Sequence, residues 1–111
     1  MMASKDLVAA SSTPIVLGIL ARGESYGYEI IQQVKAASGG ELEWSDGMLY
    51  PVLHRLERRG LIRSRWGVSE NGRKRRYYRL EKKGRAKLIE EKEEWKMVNF
   101  TLTRLWRAAH V

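Results

Sequence analysis

Along the segment from Gly47 to Leu80 the apolar positions change from a helical period to a strand period. Leu49, Val52, Leu53 and Leu56 recur at i, i+3, i+4 and i+7, one apolar stripe on an amphipathic helix. Tyr50, His54, Arg55 and Arg58 fall largely outside it and are free to bind, although Tyr50 can equally serve the core. Ser45 suits the N-cap, and Asp46 sits favourably at the positive end of the helix dipole. Pro51, about two turns in, lacks an N–H and should leave the carbonyl near Gly47 unpaired or hydrated, yet the helix is still expected to run on to Arg59. After Gly60, residues 61 to 68 and 75 to 80 read as strands, with Glu70-Asn71-Gly72 as a turn. A helix followed by such a hairpin is the outline of a winged helix.

Upstream, residues 5 to 22 form a helix candidate whose apolar side is Leu7, Ile15, Val16, Leu17, Ile19 and Leu20. Pro14 clashes with the preceding turn, which predicts a kink or a late start near Thr13, with Leu7 and Val8 projecting from the body. A Gly23-Glu24-Ser25 turn leads into a second helix over residues 26 to 37, which turns Ile30, Ile31 and Val34 inward and Tyr28 and Glu29 outward. Gly39-Gly40 ends it. The last segment, from residue 81 to 111, consists mostly of strong helix formers. Leu88, Trp95, Val98, Leu102, Leu105 and Ala109 follow 3,4 spacing there, with polar Glu91 interrupting the first step. A helix this long cannot bury its whole stripe against a small domain, so a partner helix is expected, most simply from a second copy. The expected fold is mainly α with a small β-hairpin. A winged helix-turn-helix with its N-terminal helix occupies residues 1 to 80, and a C-terminal dimerisation helix occupies residues 81 to 111, presenting Leu88, Trp95, Val98, Leu102 and Leu105 to the partner.

Charge sharpens this picture. The chain of 111 residues carries a formal charge of +8, and residues 55 to 87 hold 14 of its 21 Lys and Arg against Glu57, Glu70 and Glu81. Basicity concentrated in one segment creates a local field that attracts polyanions, duplex DNA above all. The cysteine count is zero, and the two histidines, His54 and His110, lie far apart. Without a glycine-rich phosphate loop or paired carboxylates on one face, neither an enzyme nor a bound cofactor or metal is expected. The Glu90 to Glu94 run, interrupted by Lys92, suits a solvated helix face. With no run of about 18 apolar residues and no signal segment, a soluble cytoplasmic protein away from the membrane is expected. Two function classes remain: a regulator that binds double-stranded DNA, and a winged-helix module that binds RNA or protein.

The order of motifs narrows the choice. Tyr26-Gly27-Tyr28-Glu29-Ile30, the run from Gly47 through Tyr50-Pro51 to Arg55-Leu56-Glu57, Gly60-Leu61-Ile62, Tyr77-Tyr78-Arg79-Leu80 and Lys83-Gly84 together resemble PadR-family transcriptional regulators across most of residues 15 to 88. The single terminal helix is similar to that of the short subfamily, whose members dimerise through it and include regulators of multidrug efflux. Three positions depart from the family pattern: Met48 replaces Thr or Ser, Lys74 stands where proline is common, and Glu81 replaces Thr, a better N-cap, so fraying is expected at that junction.

In a helix-turn-helix the second helix enters the major groove and a wing reaches the backbone or the adjacent minor groove. Tyr50, His54, Arg55 and Arg58 are therefore the candidate helix contacts, and Arg73, Lys74, Arg75 and Arg76 the candidate wing contacts. Cations near a helix C-terminus also favour its dipole, so Arg58 and Arg59 can serve structure instead. Trp95, Asn99, Phe100 and Trp106 give the terminal helix more aromatic and polar variety than a zipper needs, although a seam tryptophan can be plain packing. The resemblance implies that Trp95 of two subunits faces across the dimer centre, with Leu7 lining the same cavity. Leu7, Trp95 and Asn99 are the candidate ligand residues for a planar aromatic effector, since indole faces attract both π-systems and positive charge.

Overall fold

Ser4 starts the first helix, well before Thr13: its Oγ accepts the N–H of Leu7 at 3.2 Å, and Asp6 follows in the first turn. The structure is a computed structural model and describes residues 4–110. Helix α1 spans Lys5–Leu20 with Pro14 inside it. The late start expected from Pro14 is therefore corrected. A helix tolerates one missing N–H when both halves are anchored: Val16, Leu17, Ile19 and Leu20 are buried on one side of Pro14, and Val8 packs against the same core on the other. Leu7 does project, being about half exposed, but Val8, expected to project with it, is half-buried on the core.

Ser25, expected in the turn, and Tyr26, expected to open the second helix, instead form a short strand, β1 (Ser25–Tyr26), and α2 follows directly over Gly27–Ala37. Helix α3 spans Asp46–Arg58, capped by Ser45, whose Oγ accepts the Met48 N–H at 3.3 Å. All four residues of its apolar stripe, Leu49, Val52, Leu53 and Leu56, are buried. Strands β2 (Ile62–Val68) and β3 (Lys74–Leu80) form the hairpin, and β1 joins the far edge of β3, giving an antiparallel sheet in the order β1-β3-β2. The register pairs Ile62 with Leu80, Ser64 with Tyr78, Trp66 with Arg76 and Val68 with Lys74. The fold is thus mainly helical with a three-stranded sheet, one strand more than the sequence indicates. A two-residue strand carries no readable period.

The core lies where α1, α2 and α3 meet the base of the sheet. Leu17 and Leu20, Ile30 and Val34, Leu49 and Leu53, Ile62 and Tyr78 form its interior, and Trp44 closes the loop before α3. Burial pushes the Tyr78 phenol above its ordinary pKa.

Helix α4 spans Lys82–Ala108. Glu81 makes no side-chain cap, as its chemistry suggests, yet the junction is tied down in other ways. Its N–H donates to the Leu61 carbonyl at 3.0 Å, and its carboxylate pairs with Arg63 Nε at 3.0 Å. Gly84 lies so close to that same carbonyl that a Cβ would collide with backbone. Leu88 is the last buried residue of the helix among those described; Glu91 and Trp95 are half-buried, and the turns from residue 96 on are exposed. They account for a molecule 57 Å long and only 30 by 20 Å across.

Candidate nucleic-acid interface

Burial of the Leu49–Leu56 stripe forces the opposite side of α3 into solvent, and His54, Arg55 and Arg58 are all exposed there. They are not equivalent. The Arg55 guanidinium leans toward α1, with Nη2 3.5 Å from the buried Ser12 hydroxyl, whereas among the described residues no side-chain hydrogen bond or ion pair holds His54 or Arg58. Tyr50 is half-buried and serves both readings: it packs on the core cluster, and its ring lies 6.3 Å from that of His54. Its hydroxyl abuts Gly27, where a Cβ would come within 2.5 Å. This explains the glycine at the start of α2, because any side chain there would drive Tyr50 from its place.

The wing is built on Ser69. Its N–H donates to the Arg73 carbonyl at 2.9 Å, its carbonyl accepts from Gly72 at 2.9 Å, and its Oγ accepts from the Arg73 N–H at 3.1 Å. The turn anticipated at Glu70-Asn71-Gly72 is there, and it delivers four consecutive cations to the start of β3. Strand alternation then separates them. Arg75 is half-buried and lies 4.2 Å over the Tyr26 ring, which meets Tyr77 edge-on at 5.7 Å, and Arg65 lies 4.8 Å over Tyr77. Arg76, on the other face, lies 5.4 Å from the centre of the Trp66 ring and 3.8 Å from Glu57. Arg73 and Lys74 are exposed at the tip.

Two carboxylates hold this hairpin in place, and neither stands out in the sequence. Glu57, near the end of α3, accepts from the Ser64 N–H at 3.0 Å and the Ser64 hydroxyl at 2.6 Å, and it also faces Arg76, so it joins helix to wing. Glu24 accepts from Arg65 Nη2 at 2.5 Å and Nε at 3.0 Å, and these hydrogen bonds hold its pKa below the ordinary carboxylate value. Strand alternation in residues 62 to 68 could have put Trp66 on the Ile62 face. The partners of Glu57 and Glu24 could not have been found that way. Between α3 and the wing opens a groove of about 580 Å³, lined by Tyr50, Asp46, Trp66 and the Arg73–Arg76 run.

The residues expected on the terminal helix divide in two. Leu88 belongs to the chain's own core and is only 8% exposed, which leaves it little surface for a partner. Val98, Leu102 and Leu105 remain open, with Leu105 61% exposed, and Asn99 is exposed beside them. Trp95 is half-buried and donates its Nε1–H to Glu91 at 3.2 Å. The acid that interrupts the apolar stripe thus satisfies the indole and also faces Lys87. Among the described residues, no helix is long and apolar enough to cross a membrane, and no three His, Cys, Asp or Glu side chains gather as a metal site requires.

A profile described as the transcriptional regulator PadR-like family matches residues 16–90, from the last turns of α1 through the wing to the start of α4. The chain belongs to the PadR-like family of transcriptional regulators. It is similar to the Escherichia coli transcriptional regulator YqjI, with 33% identity over 84 residues, covering 76% of this chain but 39% of that longer protein. A solved transcriptional regulator from Clostridium thermocellum superposes with a TM-score of 0.82 at 29% identity, over 90% of this chain and 97% of that one. A PadR-like regulator from Bacillus cereus does so at 0.79 and 31% identity, over 91% and 96%. The matched region ends two residues beyond Leu88, the last buried residue of α4 among those described.

Proposed function

We propose that this chain is a DNA-binding repressor that acts in the cytoplasm as a homodimer on a palindromic operator and is released by a planar aromatic effector. One observation carries the reading: in a PadR-like regulator, the first turns of α3, through Asp46 and Tyr50, and the cationic run Arg73–Arg76 line a single groove. In this reading residues 1 to 80 form the reading head and residues 81 to 111 the dimerisation helix. His54 and Arg58 meet base edges in the major groove, Tyr50 and Arg55 hold its walls, and Arg73 and Lys74 contact phosphates. Val98, Leu102 and Leu105, left open on α4, supply the seam between two copies. A helical pair brings two heads to half-sites roughly 34 to 36 Å apart, one turn of DNA.

The effector would lie at the dimer centre against Trp95, with Leu7 and Asn99 beside it. It can weaken DNA binding only by favouring one separation of the two heads over another. Selection of bound fragments from the source genome, followed by footprinting, tests the regulator reading. Two symmetric protected halves are expected, and binding to RNA alone would refute it. For the effector, planar aromatic cations should quench the tryptophan fluorescence of the wild type but not of Trp95→Ala. Equal quenching in both would take Trp95 out of the pocket.

A further inference from the structure

The wing carries a feature that cationic phosphate contacts do not explain. Along β2, Ile62, Ser64, Trp66 and Val68 share one face, the face that Ile62 and the cross-strand Tyr78 bury in the core. Toward the tip this face emerges into solvent still apolar, with Trp66 65% and Val68 67% exposed. Cross-strand partners Arg76 and Lys74 flank the pair. We propose that Trp66 and Val68 form an apolar ridge that lies against the deoxyribose walls of the DNA minor groove, beside the major-groove site of α3. This rests on the regulator reading above.

Three observations favour DNA as the occupant. Trp66 lines the groove between α3 and the wing, and also a shallower concavity of about 410 Å³ formed with Gly67, Val68 and Lys74, so the ridge is continuous with the cationic face. Its charge suits a narrow groove edged by two phosphate rows: Lys74 borders it, and Arg73 stands next along the tip. The indole is also held in advance, because Arg76 lies over it and is itself held by Glu57, which lowers the entropy lost on contact. The walls of the minor groove are sugar, and apolar side chains pack there without reading a donor pattern.

Two chemical probes on a genomic fragment selected with the wild-type protein separate the contacts. Methylation at guanine N7 reads the major groove, and hydroxyl-radical cleavage reads the deoxyriboses of the minor groove. The wild type should protect both. Trp66→Ala should keep N7 protection, lose sugar protection at the wing, and bind roughly tenfold more weakly at constant salt, with the salt slope unchanged because no cation has been removed. Trp66→Phe should restore most of the affinity. Unchanged sugar protection and affinity in Trp66→Ala would overturn the ridge while leaving the regulator reading intact. Loss of N7 and sugar protection together in both variants, with native circular dichroism, would make Trp66 a support for α3 rather than a contact. A wild type that selects no fragment refutes the regulator reading itself.

Discussion

At Glu57 a half-buried carboxylate does the work of a joint: two bonds from Ser64 and the charge of Arg76 converge on it. Glu57→Ala leaves the Ser64 N–H without its acceptor, and a loss of about 1–2 kcal/mol in urea unfolding is expected. The cations it helps position are unequal. Arg75 and Arg76 already lie over aromatic rings, whereas Arg73 and Lys74 are exposed at the tip. Each of Arg73→Ala and Lys74→Ala should therefore lower the salt slope of DNA binding by about one per protomer, while Arg75→Ala changes it less, as titrations at several salt concentrations will read. Glu24 offers a check on the hairpin's other anchor. Its folded pKa is depressed by Arg65, so the small stability it contributes is fully present above the unfolded pKa and is lost as pH falls through the folded one. Carboxyl resonances followed by pH titration should show Glu24 titrating at more acid pH than ordinary glutamates, and Arg65→Gln should raise it.

Among the elements, α3 was the most legible, because its stripe, its cap and its end are all written in spacing within one helix: Ser45, the Leu49–Leu56 positions and Gly60. The hairpin was legible for the same reason. The first helix was not, because Pro14 argues locally for a break and only the packing of Val8 and Val16 on either side overrides it. Strand β1 escaped because its pairing partners, Tyr77 and Tyr78, lie some fifty residues away. The junction of wing and α4 depends on Gly84, which the sequence marks only as part of a motif. Gly84→Ala would push a methyl into the Leu61 carbonyl, and a cost of about 1–3 kcal/mol is expected in thermal or chemical unfolding.

In the whole molecule, a small winged unit is welded to a helix that outruns it. Beyond Leu88, Val98, Phe100, Leu102, Leu105 and Trp106 are exposed among the described residues, and a lone helix exposing such a row favours association. On the proposed homodimer, Leu102→Asp with Leu105→Asp is expected to convert a sedimenting dimer to single chains and to lower operator affinity sharply, since the two proposed half-sites would no longer be held at one spacing. If the dimer neutralises about 6 to 10 phosphates, affinity should fall roughly 10³- to 10⁵-fold between 50 and 200 mM salt.

By itself the sequence determined the helical and strand periods, the place where positive charge accumulates, and the family to which those motifs point. These are properties of residues two to four positions apart or of simple local density. Tertiary structure alone decided which cations stay free, which pair with Glu57 or Glu24, that Leu88 turns inward while Leu105 does not, and that Trp66 ends on the groove. Each of those outcomes depends on side chains brought together from distant parts of the chain, or on where a helix leaves the core. No spacing rule along the sequence records that.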